Sequence, residues 1–256
     1  MIDLDAAVRI HDEARTHEEY CATVRAESER AVSWLTRPDA TWDVPDGLKL
    51  KVGENGTLLP YPGDTVVLPL DSPSIVACRR TQRALRARLG DTLAEPLRPG
   101  TFHVTLHDLT HGPQVAPSRL EENAARCRER FARLARALDA DPGLARVTLV
   151  PTRVYPSVNV SLVLGLLPAT DRDFRTLMNA YGLFDDVVRL SYWPRLHVTL
   201  DYLLPRPVDP ARVFASLPTP PAAPIVVDMR QLSYQRFKDM NDYRTEFTVS
   251  DLPHRD

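Results

Sequence analysis

Short stretches of alternating or continuous apolar residues, separated by longer stretches of helical spacing, run through most of this 256-residue chain. Residues 65–70, Thr-Val-Val-Leu-Pro-Leu, read as a strand, and 74–89 as an amphipathic helix whose linker is closed by Pro96, Pro99 and Gly100. A strand at 102–106, a long Arg/Ala/Leu helix at 117–140 and a strand at 146–150 follow. The order then recurs: strand at 159–164, helix at 171–183, strand at 196–200, completed by a short helix at 210–217 and a strand at 225–227. Upstream, Ala7, Ile10, Ala14, Tyr20, Val24, Ala31 and Leu35 stand at imperfect helical spacing, so residues from about 4 to 36 predict a helical layer packed on the main body. The Pro- and Gly-punctuated stretch 38–63 predicts turns and short hairpins.

The two passes agree in spacing as well as order. Val67 stands 36 positions before His103, and Val163 stands 34 before His197. Such duplication predicts an α+β fold of two pseudo-symmetric lobes around a central cleft, each a mostly antiparallel sheet with helices on its outer face. The expected organisation is an N-terminal helical extension over 1–45 and a bilobal domain over 46–256, with lobe one at about 46–150 and lobe two at about 151–256.

Both passes end in the same tetrapeptide. His-Val-Thr-Leu occupies 103–106 and again 197–200, 94 positions apart. In a strand, residues i and i+2 share a face, so His103 with Thr105, and His197 with Thr199, project together while Val104/Leu106 and Val198/Leu200 face the core. An imidazole titrates near neutrality and can give or take a proton, and a hydroxyl can donate to a nonbridging phosphate oxygen. Two such pairs facing one cleft make a phosphate cradle in which a neutral histidine activates water and a protonated one serves the leaving oxygen. Each role is worth about 10²- to 10⁴-fold in rate. The pattern does not distinguish acid from base. One His-x-Thr alone reads as an ordinary strand with a satisfied histidine; two copies at equivalent points of a repeat do not.

Paired His-x-Thr segments in a duplicated α+β chain resemble the two-histidine (2H) phosphoesterase superfamily, which includes 2′,3′-cyclic nucleotide phosphodiesterases and bacterial RNA 2′,5′-ligase-like enzymes. The resemblance covers roughly residues 46–256. The lead-in from Asp46-Gly47 to Val66-Val67 is similar to an uncharacterised bacterial and fungal branch of that superfamily. What it implies is a water-filled cleft, no metal, no cofactor, and His103, Thr105, His197 and Thr199 as the catalytic set. The expected reaction is hydrolysis of a cyclic phosphate or phosphodiester, a 2′,3′-cyclic nucleotide or a short RNA terminus. Ligation or cleavage of a 2′,5′ bond and a non-catalytic cyclic-nucleotide-binding module are the alternatives.

Composition narrows the partner. A net charge of -2 and a pI near 6.4 argue against a broad basic nucleic-acid surface and favour a small phosphoester or a short end. Lysine occurs only at 49, 51 and 238, and arginine supplies the remaining cations. Cys21, Cys78 and Cys127 are odd in number and lack zinc-site spacing. No apolar run approaches the roughly 18 residues of a membrane helix, and the acidic N-terminus is unlike a signal peptide, so a cytoplasmic monomer that avoids membranes is expected. Gly-x-x-x-x-Gly-Lys and Gly-x-Ser-x-Gly motifs are absent from the sequence. Substrate-contact candidates are Arg195, on the face of His197; Tyr61 and Tyr155, each before a proline that leads into the first strand of its half; and His107, which with Asp201 occupies position i+4 of its motif. His103, His107 and His111 are spaced four apart, but the strand pattern, with a turn expected at 108–112, argues against a helical metal site.

Overall fold

The computed structural model describes residues 8–10 and 13–252. Two short antiparallel strands, β1 (Val8–Ile10) and β2 (Glu13–Arg15), precede α1 (His17–Trp34), so the predicted N-terminal helix begins later than expected. Residues 4–7, 11 and 12 of that expectation lie outside the described residues. The start of α1 is set by a capping box in which Thr16 accepts from the Glu19 backbone and the Glu19 carboxylate accepts from the Thr16 backbone.

After the short α2 (Asp46–Lys49), the chain forms β3 (Gly63–Pro69), α3 (Ser72–Leu89), β4 (His103–His111), α4 (Pro117–Ala140) and β5 (Arg146–Ser157). It continues through β6 (Ser161–Pro168), α5 (Asp171–Asp185), β7 (His197–Tyr202), α6 (Pro210–Ser216), β8 (Ile225–Asp228), β9 (Ser233–Asp239) and β10 (Asp242–Thr248). Eight strands make one antiparallel sheet in the order β10-β9-β3-β4-β7-β6-β5-β8. Its two halves meet where β4 pairs with β7 through Val104 and Val198. Val67 pairs with Thr105 and Val163 pairs with Thr199, so the repeat seen in the sequence is also a repeat of register.

The halves are not contiguous in sequence. β5, expected to close the first lobe, instead joins β6 through a three-residue connection in which Val158 and Asn159 take the left-handed conformation. A connection that short makes sequence neighbours pair. The first half is completed instead by β9 and β10, which the apolar pattern does not reveal: Ser-Tyr-Gln-Arg-Phe-Lys-Asp and Asp-Tyr-Arg-Thr-Glu-Phe-Thr carry few apolar residues because they form an edge hairpin. Helices α3, α4 and α5 bury apolar faces, among them Leu85, Phe131, Leu138, Leu177 and Phe184, and α3 packs on β7 as α5 packs on β4. Among the described residues, no helix is long and apolar enough to cross a membrane.

The first half is tied together through a buried carboxylate. Asp64 on β3 accepts from the Thr110 backbone at 2.8 Å, from Asn123 of α4 at 3.1 Å and from the Tyr234 hydroxyl of β9 at 2.8 Å. Beside it Gly63 leaves no room for a side chain, since a Cβ there would lie 2.6 Å from the Thr110 carbonyl oxygen. Removing the carboxylate leaves the Thr110 backbone N–H and one Asn123 hydrogen without an acceptor, while the Tyr234 hydroxyl keeps the Leu120 carbonyl at 3.0 Å, at a cost of about 1–3 kcal/mol for each buried group left unsatisfied. Asp64→Ala is therefore expected to lower the unfolding free energy by at least about 2 kcal/mol in a denaturant titration.

Candidate active site

The Val104–Val198 pair fixes the neighbours on either side of it. Antiparallel pairing extended by one residue each way sets His103 beside Thr199 and Thr105 beside His197. The imidazoles are then diagonal neighbours, which in antiparallel sheets lie roughly 7–8 Å apart, their Cβ atoms somewhat closer. Val104 and Val198 are fully buried on the opposite face, whereas His103, Thr105, His197 and Thr199 are half-buried and line one cavity of about 930 Å³.

Each imidazole is held by the backbone two residues before it. His197 Nδ1 donates to the Arg195 carbonyl at 2.7 Å, and His103 makes the corresponding bond with the Thr101 backbone. In both rings the remaining nitrogen is left to exchange a proton. Burial is the main influence on both and lowers their pKa values, His103 to about 4, with the backbone bonds acting in the opposite direction.

Tyrosines form much of the cavity wall. The ring of His103 meets Tyr243 edge-on at 5.0 Å, and Tyr61 lines the cavity with its hydroxyl 2.9 Å from His111 Nδ1. Lys51 Nζ lies over the rings of Tyr61, at 4.9 Å, and Tyr202, at 5.7 Å. Tyr155 and Arg195 also line the cavity, but the Arg195 guanidinium is gripped by Glu27 of α1 at 2.7 and 2.9 Å. Glu27, Ala31 and Trp34 of α1 complete this side, so the N-terminal extension is a wall of the cleft, which its sequence did not indicate. Lys51 was legible only as one of three lysines, in a stretch read as turns.

No family model and no curated protein matches the chain. Among solved structures, a conserved protein of unknown function from Agrobacterium tumefaciens superposes with a TM-score of 0.57 at 20% identity, covering 81% of this chain and 94% of that one. The chain shares that protein's fold. E. coli LigT gives a TM-score of 0.42 at 15% identity, covering 74% of this chain and 96% of that one. A phosphoesterase gives 0.38 at 13%, covering 73% and 94%.

One group of expected contacts is corrected by a β-bulge. Thr105 and His107 pair with the successive residues Val67 and Val66, leaving Leu106 as an extra residue in β4, and Leu200 is extra in β7 in the same way. A bulge shifts strand parity by one. His107 and Asp201 therefore turn behind the sheet, both essentially fully buried, and neither lines the cavity. Asp108 and Tyr202 take their place in the cleft, and sequence alternation without a bulge could not have found them. β4 also runs straight through the turn expected at 108–112, bringing His111 to the cleft wall.

Behind the sheet, the His107 ring packs at a tilt against Tyr181, centroids 4.6 Å apart, with Nε2 3.6 Å from Asp185, and Asp201 lies 3.6 Å from Arg86 of α3. Burial pushes the Asp201 carboxyl up to about 7 and the His107 imidazole down. A histidine with a lowered folded pKa binds protons more readily when unfolded. Its contribution to stability is complete above the unfolded value of about 6.5 and is lost as pH falls below it. His107→Phe is expected to flatten the loss of unfolding free energy between pH 7.5 and 5 relative to the parent, both proteins sharing the opposing effect of Asp201, as measured by urea unfolding at each pH.

Proposed function

We propose that this chain is a phosphoesterase of the two-histidine type, hydrolysing a cyclic phosphate or phosphodiester, with a 2′,3′-cyclic nucleotide or a short RNA terminus as substrate. The observation that carries the reading is the convergence of two identical His-x-Thr motifs, each with its imidazole anchored to the preceding backbone, on a single cavity. A volume of about 930 Å³ suits a mononucleotide-sized ligand.

In this reading the phosphate lies between the motifs. Thr105 and Thr199 donate to its nonbridging oxygens. One imidazole takes a proton from the attacking water, and the other gives one to the leaving ribose oxygen. The proton transfers themselves require nothing beyond the two rings. Tyr61 and Tyr155 contact the remainder of the substrate, with Tyr243 offering a stacking face beside His103. Arg195 orients the phosphate from its paired position, and Lys51 supplies the cation on the other side of the cleft. The catalytic body is the domain assigned to 46–256, and α1 of the N-terminal extension closes one side of the cleft. His107, behind the sheet, has no part in binding.

Incubation with 2′,3′-cyclic mononucleotides and a cyclic-ended oligonucleotide in the presence of EDTA tests this. Turnover is expected to survive the chelator. His103→Ala and His197→Ala are each expected to lower kcat/KM by about 10²- to 10⁴-fold, and Thr105→Val and Thr199→Val by about 10-fold, a loss of about 1.4 kcal/mol for one hydrogen bond to a charged group. Activity abolished by EDTA, or tight binding of the cyclic nucleotides with no turnover by the parent protein, would contradict the reading.

A further inference from the structure

The motifs are equivalent, but what faces them is not. Past the twin bulges, the fifth residue after each histidine returns to the cleft: Asp108 on β4 and Tyr202 on β7. A carboxylate therefore stands on one side of the pseudo-twofold axis and a phenol on the other.

Strand direction decides which histidine the carboxylate serves. Moving along β4 from Val104 toward Asp108 runs alongside β7 from Val198 back toward Arg195, because the strands are antiparallel. His197 lies beside Thr105, in the direction of Asp108, whereas His103 lies at the opposite end of the same strand. The Tyr192 hydroxyl donates to Asp108 Oδ2 at 3.1 Å and ties that carboxylate to the segment leading into β7. Among the described residues, the carboxylates lining the cavity are Glu27 and Asp108, and Glu27 is engaged by Arg195. The other charged groups influencing His197 are Arg195, on its own lead-in and largely neutralised by Glu27, and Lys51, after α2. His103 faces the Tyr243 edge, the charge of His197 and, as a smaller influence, the charge of Asp108, which also raises His111 on its own strand.

We propose that Asp108 breaks the symmetry of the site, making His197 the imidazole that donates a proton to the leaving group and leaving His103 as the one that accepts a proton from water. This rests on the phosphoesterase reading above. In the step itself, His103 takes a proton from water as its oxygen forms the new bond to phosphorus. The bond from phosphorus to the leaving ribose oxygen breaks, and that oxygen takes the proton of His197. Exchange with solvent then restores both rings. Asp108 is a positioning residue acting through His197. The direction of the imidazole shifts agrees: Asp108 raises both rings, but at His197 it stands ahead of the opposing Arg195 and Lys51 charges, whereas at His103 it stands behind the lowering charge of His197.

The test is an NMR titration of the two imidazoles in the parent, Asp108→Asn and Asp108→Glu, alongside pH profiles of kcat/KM on a 2′,3′-cyclic nucleotide. His197 is expected to hold its proton to higher pH than His103. In Asp108→Asn the His197 midpoint should fall by about one pH unit, with His103 moving less and the alkaline limb of the rate profile moving down in parallel. Asp108→Glu should restore both. A higher midpoint for His103, or a larger response of His103 to Asp108→Asn, would overturn the proposal. The titration needs no turnover, so an inactive parent would defeat the hydrolase reading while the imidazole midpoints still decided this one.

Discussion

The arrangement of the cleft depends on a single strand pairing at the centre of the sheet, where β4 meets β7 through Val104 and Val198. Both valines are fully buried, and their burial against the helical layer fixes which face of each strand looks into the cavity. With that parity set, the flanking histidines and threonines have only the cleft to face. A one-residue slip would turn all four into the core and bring the valines out. The local chemistry is thus enforced by apolar packing on the far side of the sheet, not by contacts within the site.

The same constraint explains the electrostatics. The cavity is largely aromatic and hydroxylic, its Arg195 is bound by Glu27, and burial lowers the pKa of both its central imidazoles. An arriving phosphate brings the negative charge that such a pair lacks and favours protonation of whichever ring it approaches. A site whose fixed charges, Glu27, Arg30, Lys51, Asp108 and Arg195, nearly balance suits one small anion better than a long polyanion, which agrees with a chain of net charge -2. The α1 wall contributes by occupying one flank and by holding Arg195 in place.

Much of this was legible because it repeats. The period of the apolar pattern located β3, α3, α4, β6 and α5 to within a few residues, and the duplicated tetrapeptide located the four central side chains. What stayed hidden has physical causes. Strand order around β5 is decided by the tight connection at Val158 and Asn159. β9 and β10 are edge strands with little apolar signal. The exchange of His107 for Asp108 depends on a bulge at Leu106, and one extra residue in a strand leaves no trace in alternation that a four-residue motif could show. The place of α1 in the cleft wall is a tertiary fact without a local signature.

The most direct measurement of the central claim is a crystal structure of the protein soaked with orthovanadate. The account predicts one anion between the two motifs, bridged by a ring nitrogen of His103 and one of His197 and accepting hydrogen bonds from the Thr105 and Thr199 hydroxyls. An anion bound elsewhere in the cavity with both imidazoles unengaged, or rings too far apart to share it, would contradict the account.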